Sequence, residues 1–386
     1  MSDWFWNSAT IEKMVKTKKD RWMKDPPDVI PLTVADPDFN LAPEIKNALL
    51  KAIIDENVNY TMLDKSLEEK CANKITKKNK IQAKTEDIFL TNGAAPGIVI
   101  GAKYACKPGD EVIVNDPMYY VIPMLAEAHG VKPVKWNLEF EEGYKFDVEK
   151  LKEIITPKTK LIYLCNPHNP TGRVMTKQEL KAVADVAVDH NLVVCSDELW
   201  EDIIFDDRKH ICIASLNPEI ERLTMTQFGF SKAFNVAGLR IGYLCMTDKE
   251  MMKKASLIGF TSGIVPANFG KTAGHVMISD EMEWWHKGQM AHLHKIRGIC
   301  EEWFEKMPSI SCPKLEGTYL MFPRFNYKMS SEKLEEYLVE KSRVRLEHGS
   351  IFGELGEKHQ RVLIATSEEI IREALARLEK GLKTLT

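Results

Sequence analysis

The chain has 386 residues, 44% of them hydrophobic and 28% charged, with a formal net charge of −3 at pH 7. That length suits two domains, and the near-neutral balance excludes the global basic field that draws nucleic acid. No apolar run approaches membrane-spanning length, and the eight cysteines show neither a CxxC pair nor finger-like spacing with histidine, which predicts a reduced, cytoplasmic protein.

The N-terminal stretch MSDWFWNSATIEKMVKTKKD lacks the charged start and apolar run of a secretion signal. Residues 1–45 are expected to form a segment packed against a small C-terminal domain, with a large domain over 46–286 and the small one over 287–386. The lysine-rich stretches KTKKDRWMK and KITKKNK read as solvated helix faces.

From about residue 86 a rhythm begins: a short apolar run, a turn rich in Gly, Pro or Asn, then a helical pattern. The runs DIFLTN, EVIVND, KPVKWNL, KLIYLCN, LVVCSDE, LTMTQFG and IGYLCMT predict seven strands. Most are continuous rather than alternating, as in strands covered on both faces. The clearest intervening helix is TKQELKAVADVAVDH, where Thr176 and Glu179 stand at capping-box spacing. The fold class is therefore α/β: a doubly wound, mainly parallel seven-stranded sheet with a smaller α+β domain. Such sheets bind ligands at the carboxyl ends of their strands.

The motifs fall at those ends. NGAAPG follows the first strand, and its backbone N–H groups suit a phosphate or simply turn the chain into a helix. DPMYY follows the second strand. NPHNPTGR follows the fourth and reads as a tight double turn, in which His168 is solvated or bonded locally. Asp197 ends the fifth, as a helix N-cap or as a carboxylate waiting for a buried cationic ring. After the sixth, GFSKAFNVAGLRIGY sets Lys232 among apolar residues and glycines, with Arg240 the other cation nearby. An amine there must be paired or neutral, because burying its charge is costly. Further on, SGIVPANFGKTAG misses the glycine spacing of a nucleotide-binding loop. His286, His292 and His294 lack the spacing of helical metal ligands, so no metal is expected. Beyond residue 287, EGTYLMFPRF and HQRVLIAT predict strands, and SEKLEEYLVEKS and SEEIIREALARLEKGLKTL predict helices.

In order, NPHNPTG, SDE, SKAFNVAGLRIG and a late arginine resemble the fold-type-I pyridoxal-phosphate enzymes of the class I/II aminotransferase family. The similarity runs from PLTVADPDF (31–39) to the C-terminus. It implies that 46–286 binds pyridoxal 5′-phosphate and that Lys232 forms a Schiff base with it, then serves as the base for the substrate Cα proton. Asp197 would hold the ring nitrogen protonated, Asn169 and Trp200 would reach the 3′ oxygen, and Tyr119 would stack on the ring. Gly93, Ala94, Ala95, Ser231 and Arg240 would hold the phosphate, joined by Tyr60 from a second subunit of a homodimer. Ala35, Asn169 and Arg361 would bind a substrate amino acid or 2-oxo acid, Arg361 gripping its α-carboxylate. Many relatives have tyrosine where Trp200 stands and serine where Gly229 stands. VADPDF and NPHNPTGR also resemble the cystathionine β-lyase branch, whereas AGLRIGY is more usual in aminotransferases. The resemblance thus implies amino transfer, with carbon–sulfur β-elimination as the alternative.

Overall fold

The computed structural model describes residues 4–385. Its centre is a seven-stranded sheet: β1 (Ile88–Thr91), β2 (Glu111–Asp116), β3 (Lys132–Asn137), β4 (Thr159–Cys165), β5 (Val193–Asp197), β6 (Thr224–Gly229) and β7 (Gly242–Cys245). The spatial order is β1-β7-β6-β5-β4-β2-β3. β7 runs antiparallel to both β1 and β6, and the remaining pairs are parallel. Each of the seven predicted runs thus becomes a strand. Edge strand β3 is largely exposed, whereas its neighbour β2 is buried along its whole length.

Because β7 opposes both its neighbours, β1 ends on the same edge of the sheet as β2, β4, β5 and β6. Thr91, Asp116, Cys165, Asp197 and Gly229 therefore share one rim. The helix Ala95–Ala105 lies flat on the sheet because two of its positions carry no side chain. A Cβ at Gly97 would sit 1.9 Å from Gln227 Oε1, and one at Gly101 would sit 2.2 Å from Cys195 Sγ. The helix Lys177–Asp189 starts with the expected box: Thr176 Oγ1 accepts the Glu179 N–H at 3.2 Å, and Glu179 Oε2 accepts the Thr176 N–H at 2.7 Å.

One helix, Glu283–Glu305, runs through the position expected to divide the domains. Beyond it, Leu320–Met321, Gln360–Leu363 and Glu347–His348 form a small antiparallel sheet with Gln360–Leu363 in the middle. The helices Ser331–Ser342 and Glu368–Leu382 follow the predicted segments closely. Ile30–Pro31 pairs in parallel with Val344–Arg345, which carries residues 32–38 across the rim of the large sheet.

Candidate active site

Lys232 lies in the short helix Ser231–Phe234 just beyond β6. Its Nζ donates to the Ala35 carbonyl at 3.0 Å and stands 5.6 Å from the centre of the buried Trp200 ring. Burial first, then the charge of Arg361, brings its pKa down to about 8, against the opposing pull of Asp36 and Asp197. Near neutral pH a usable fraction of this amine is unprotonated, a fraction that an ordinary lysine lacks.

Asp197 faces the same space from the end of β5. Burial pushes its carboxyl up to about 6, partly offset by the Leu199 N–H, which Asp197 Oδ1 accepts at 3.2 Å. Among the described residues no cation forms an ion pair with it. No helix follows: residues 199–202 form a turn, so the N-cap alternative is wrong and the bond to Leu199 closes a turn instead. Tyr119, after β2, is half-buried, and burial raises its phenol to about 12. Trp200 meets Tyr319 edge to face at 4.6 Å.

The start of the helix after β1 suits an anion. The helix Ala95–Ala105 has no side-chain cap from Ala94, so its first N–H groups point outward. Gly93 has φ 115°, and a Cβ there would lie 3.9 Å from the guanidinium carbon of Arg240. Ser231 opens the next helix nearby. At Gly229 a Cβ would meet Leu199 at 3.5 Å and Ala94 at 3.9 Å, ordinary contacts, so there is room for the serine that relatives place there.

A third corner suits a carboxylate. Arg361, on the central strand of the small sheet, is 4% exposed. Its Nη1 donates to Asn169 Oδ1 at 3.2 Å and its Nη2 to Glu347 Oε2 at 3.0 Å, while its guanidinium lies 4.7 Å from the Phe352 ring centre. Asn169 belongs to the NPHNPTG turn, where His168 is fully buried rather than solvated. His168 Nδ1 bonds Thr171 Oγ1 at 2.8 Å, and burial lowers its pKa to about 3.

Of the expected residues, Tyr60 alone stands nearly free in solvent, 97% exposed. The lysine-rich stretches are not simply solvated faces. Arg21 is buried in an ion pair with Asp38 at 2.5 Å, and Lys74 and Lys78 pair with Glu201 and Asp202. Sequence reading also missed Glu347, Tyr319 and Asp36. Asp36 and Tyr319 lie inside VADPDF and EGTYLMFPRF without being singled out there, and no motif marks Glu347; strand register and the path of residues 32–38 deliver all three. Behind Asp197, Glu198 Oε2 accepts from Cys212 Sγ at 2.7 Å and lies 2.5 Å from His210 Nε2. Hydrogen bonds link these three groups, while the buried His210 Nδ1 is left without a partner among the described residues.

A protonated pyridine ring with a phosphate arm carries the two charges that Asp197 and the Ala95 helix leave unmatched. In this architecture that defines a pyridoxal-phosphate-dependent enzyme of fold type I. Solved structures agree. Cystalysin from Treponema denticola, which contains a pyridoxal 5′-phosphate cofactor, matches with TM-score 0.91 and 28% identity over 96% of this chain and 98% of its own. The aromatic aminotransferase from Pyrococcus horikoshii OT3 matches with TM-score 0.88 and 28% identity over 97% and 99%. In sequence, the aspartate aminotransferase of Pyrococcus horikoshii is 32% identical over 360 residues, 92% of this chain and 91% of that one. The model of the family "Aminotransferase class I and II" covers residues 27–378, and the chain belongs to that family. It is a pyridoxal-phosphate-dependent aminotransferase.

Proposed function

We propose that the protein moves the α-amino group of an amino acid to a 2-oxo acid, with Lys232 both carrying the cofactor and moving the substrate proton. The observation that carries this reading is the convergence of Lys232, Asp197 and Arg361, where burial and the charge of Arg361 bring the pKa of the amine down to about 8. When bound, the cofactor supplies a cationic ring that accepts the electron pair left on the substrate α-carbon. Asp197 keeps that ring charged. Gly93, Ala94 and Ala95, with Ser231 and Arg240, hold the phosphate, and Tyr119, Asn169 and Trp200 fix the ring. Arg361, supported by Asn169 and the backbone at Ala35, orients the α-carboxylate so that the α-hydrogen faces the Lys232 amine.

The β-lyase alternative uses the same lysine, aspartate and asparagine. Arg240 within AGLRIGY and tryptophan at 200 favour transfer. Purified enzyme given an amino acid and a 2-oxo acid should exchange the amino group without releasing ammonia. Sustained release of pyruvate and ammonia from cysteine or cystathionine, with no transfer, would reverse the assignment.

In this reading the working unit is a homodimer in which Tyr60 reaches the partner's phosphate site. The support is an apolar surface at Val58, Met62, Leu63, Phe260 and Val265, each at least 49% exposed, alongside the solvent-facing Tyr60. An active enzyme that sediments strictly as a monomer would remove Tyr60 from the site. The eight free cysteines favour a cytoplasmic setting.

A further inference from the structure

Glu347 and Arg361 are cross-strand partners in the small antiparallel sheet, an arrangement that favours opposite charges. Glu347 Oε2 accepts from Arg361 Nη2 at 3.0 Å and from the backbone N–H of Val34 at 3.1 Å. Val34 has φ 53°, a left-handed conformation that a β-branched residue rarely adopts. Its side chain is 45% exposed, so side-chain packing does not impose that geometry. The next residue, Ala35, gives its carbonyl to Lys232 Nζ at 3.0 Å and to the Tyr319 hydroxyl at 3.3 Å. On either side the segment is pinned away from the site: Arg21 donates to the Pro31 and Asp36 carbonyls and pairs with Asp38. One carboxylate oxygen therefore ties the arginine fork to the backbone that touches the lysine.

We propose that Glu347 is a positioning residue that sets the net charge of the Arg361 subsite and couples its occupancy to residues 34–36. This rests on the reading of Arg361 as the α-carboxylate binder. Arg361 spends one N–H on Asn169 and one on Glu347, and its remaining N–H groups are left for an incoming carboxylate. That carboxylate arrives beside the charge of Glu347, which weakens its binding and hastens its release. The charged groups facing Lys232 are Arg361, Asp36 and Asp197; the one facing Arg361 is Glu347, with the titratable hydroxyls of Tyr119 and Tyr120 nearby. Neutralising Glu347 unmasks the charge of Arg361, so the amine of Lys232 gives up its proton more readily.

The test is Glu347→Gln in the holoenzyme, which keeps the shape and an acceptor oxygen while removing the charge. KM for an α-amino acid and Ki for propionate should each fall about ten-fold, as expected for one charge at this range. KM for an amine without a carboxylate should stay put, and the pH midpoint of the cofactor's visible absorbance should move down. Glu347→Asp, which restores the charge, should return all three readouts towards wild type. Unchanged KM, Ki and midpoint in Glu347→Gln, or an equal change for the amine, overturns the proposal. Should Glu347→Gln fail to fold, Glu347→Asp with wild-type readouts supports the proposal, and Glu347→Asp with the shifts assigned to lost charge overturns it. In an Arg361→Ala background the effect of Glu347→Gln should vanish; its persistence overturns this proposal alone. If Arg361→Ala itself leaves the preference for carboxylate substrates intact, the assignment of Arg361 falls as well.

Discussion

Replacing Lys232 with alanine should lower kcat by at least about three orders of magnitude, the span that a positioned acid–base group supplies. Three features of the site make the loss this large. Burial and Arg361 together bring the pKa of this amine down to about 8, so no ordinary surface lysine offers the same unprotonated fraction. It stands against Trp200 and the Ala35 carbonyl, in a space that an added amine in solution fills without the same orientation. It is also the expected attachment point of the cofactor, so the visible absorbance of the linked form should disappear with it. The fold should survive, because the side chain makes one hydrogen bond, to Ala35. Wild-type-like turnover in the folded variant would refute the assignment.

Asp197→Ala should come second, with kcat down about 10²- to 10³-fold and weaker cofactor retention, as when a preorganised charge is removed from a buried site. A stability readout separates this role from a structural one. In the protein without cofactor, burial raises the Asp197 carboxyl above its ordinary value to about 6. A carboxyl with a raised folded-state pKa destabilises the fold progressively as pH climbs from the unfolded value through the folded one, and fully above it. The cofactor-free variant should therefore gain thermal stability relative to wild type as pH rises through about 6, with little difference below about pH 4. An unchanged kcat, or a variant less stable at every pH, would contradict the role.

Much of this was legible in the sequence because it is local. The continuous apolar runs EVIVND and KLIYLCN gave buried strands, and the capping residues Thr176 and Glu179 gave a helix start. Lys232, Asp197 and Asn169 were visible because each sits in a short motif just past a strand, and the order of those motifs resembles a known family. What escaped depends on contacts far apart in sequence. Arg21 looked like one charge in a basic run, yet its partner Asp38 is supplied by the chain's return along the small sheet. Glu347 reaches Arg361 through strand register, which no spacing encodes. Asp197 was open to a cap reading until the residues after it proved to form a turn rather than a helix.

The most direct test of the central claim is to treat the holoenzyme with borohydride, which makes the cofactor–lysine linkage permanent, and to map the modified peptide by mass spectrometry. The expected result is a single cofactor adduct on Lys232, in the peptide containing GFSKAFNVAGLR. An adduct on another lysine, or a holoenzyme that remains fully active with Lys232 unmodified, would contradict it.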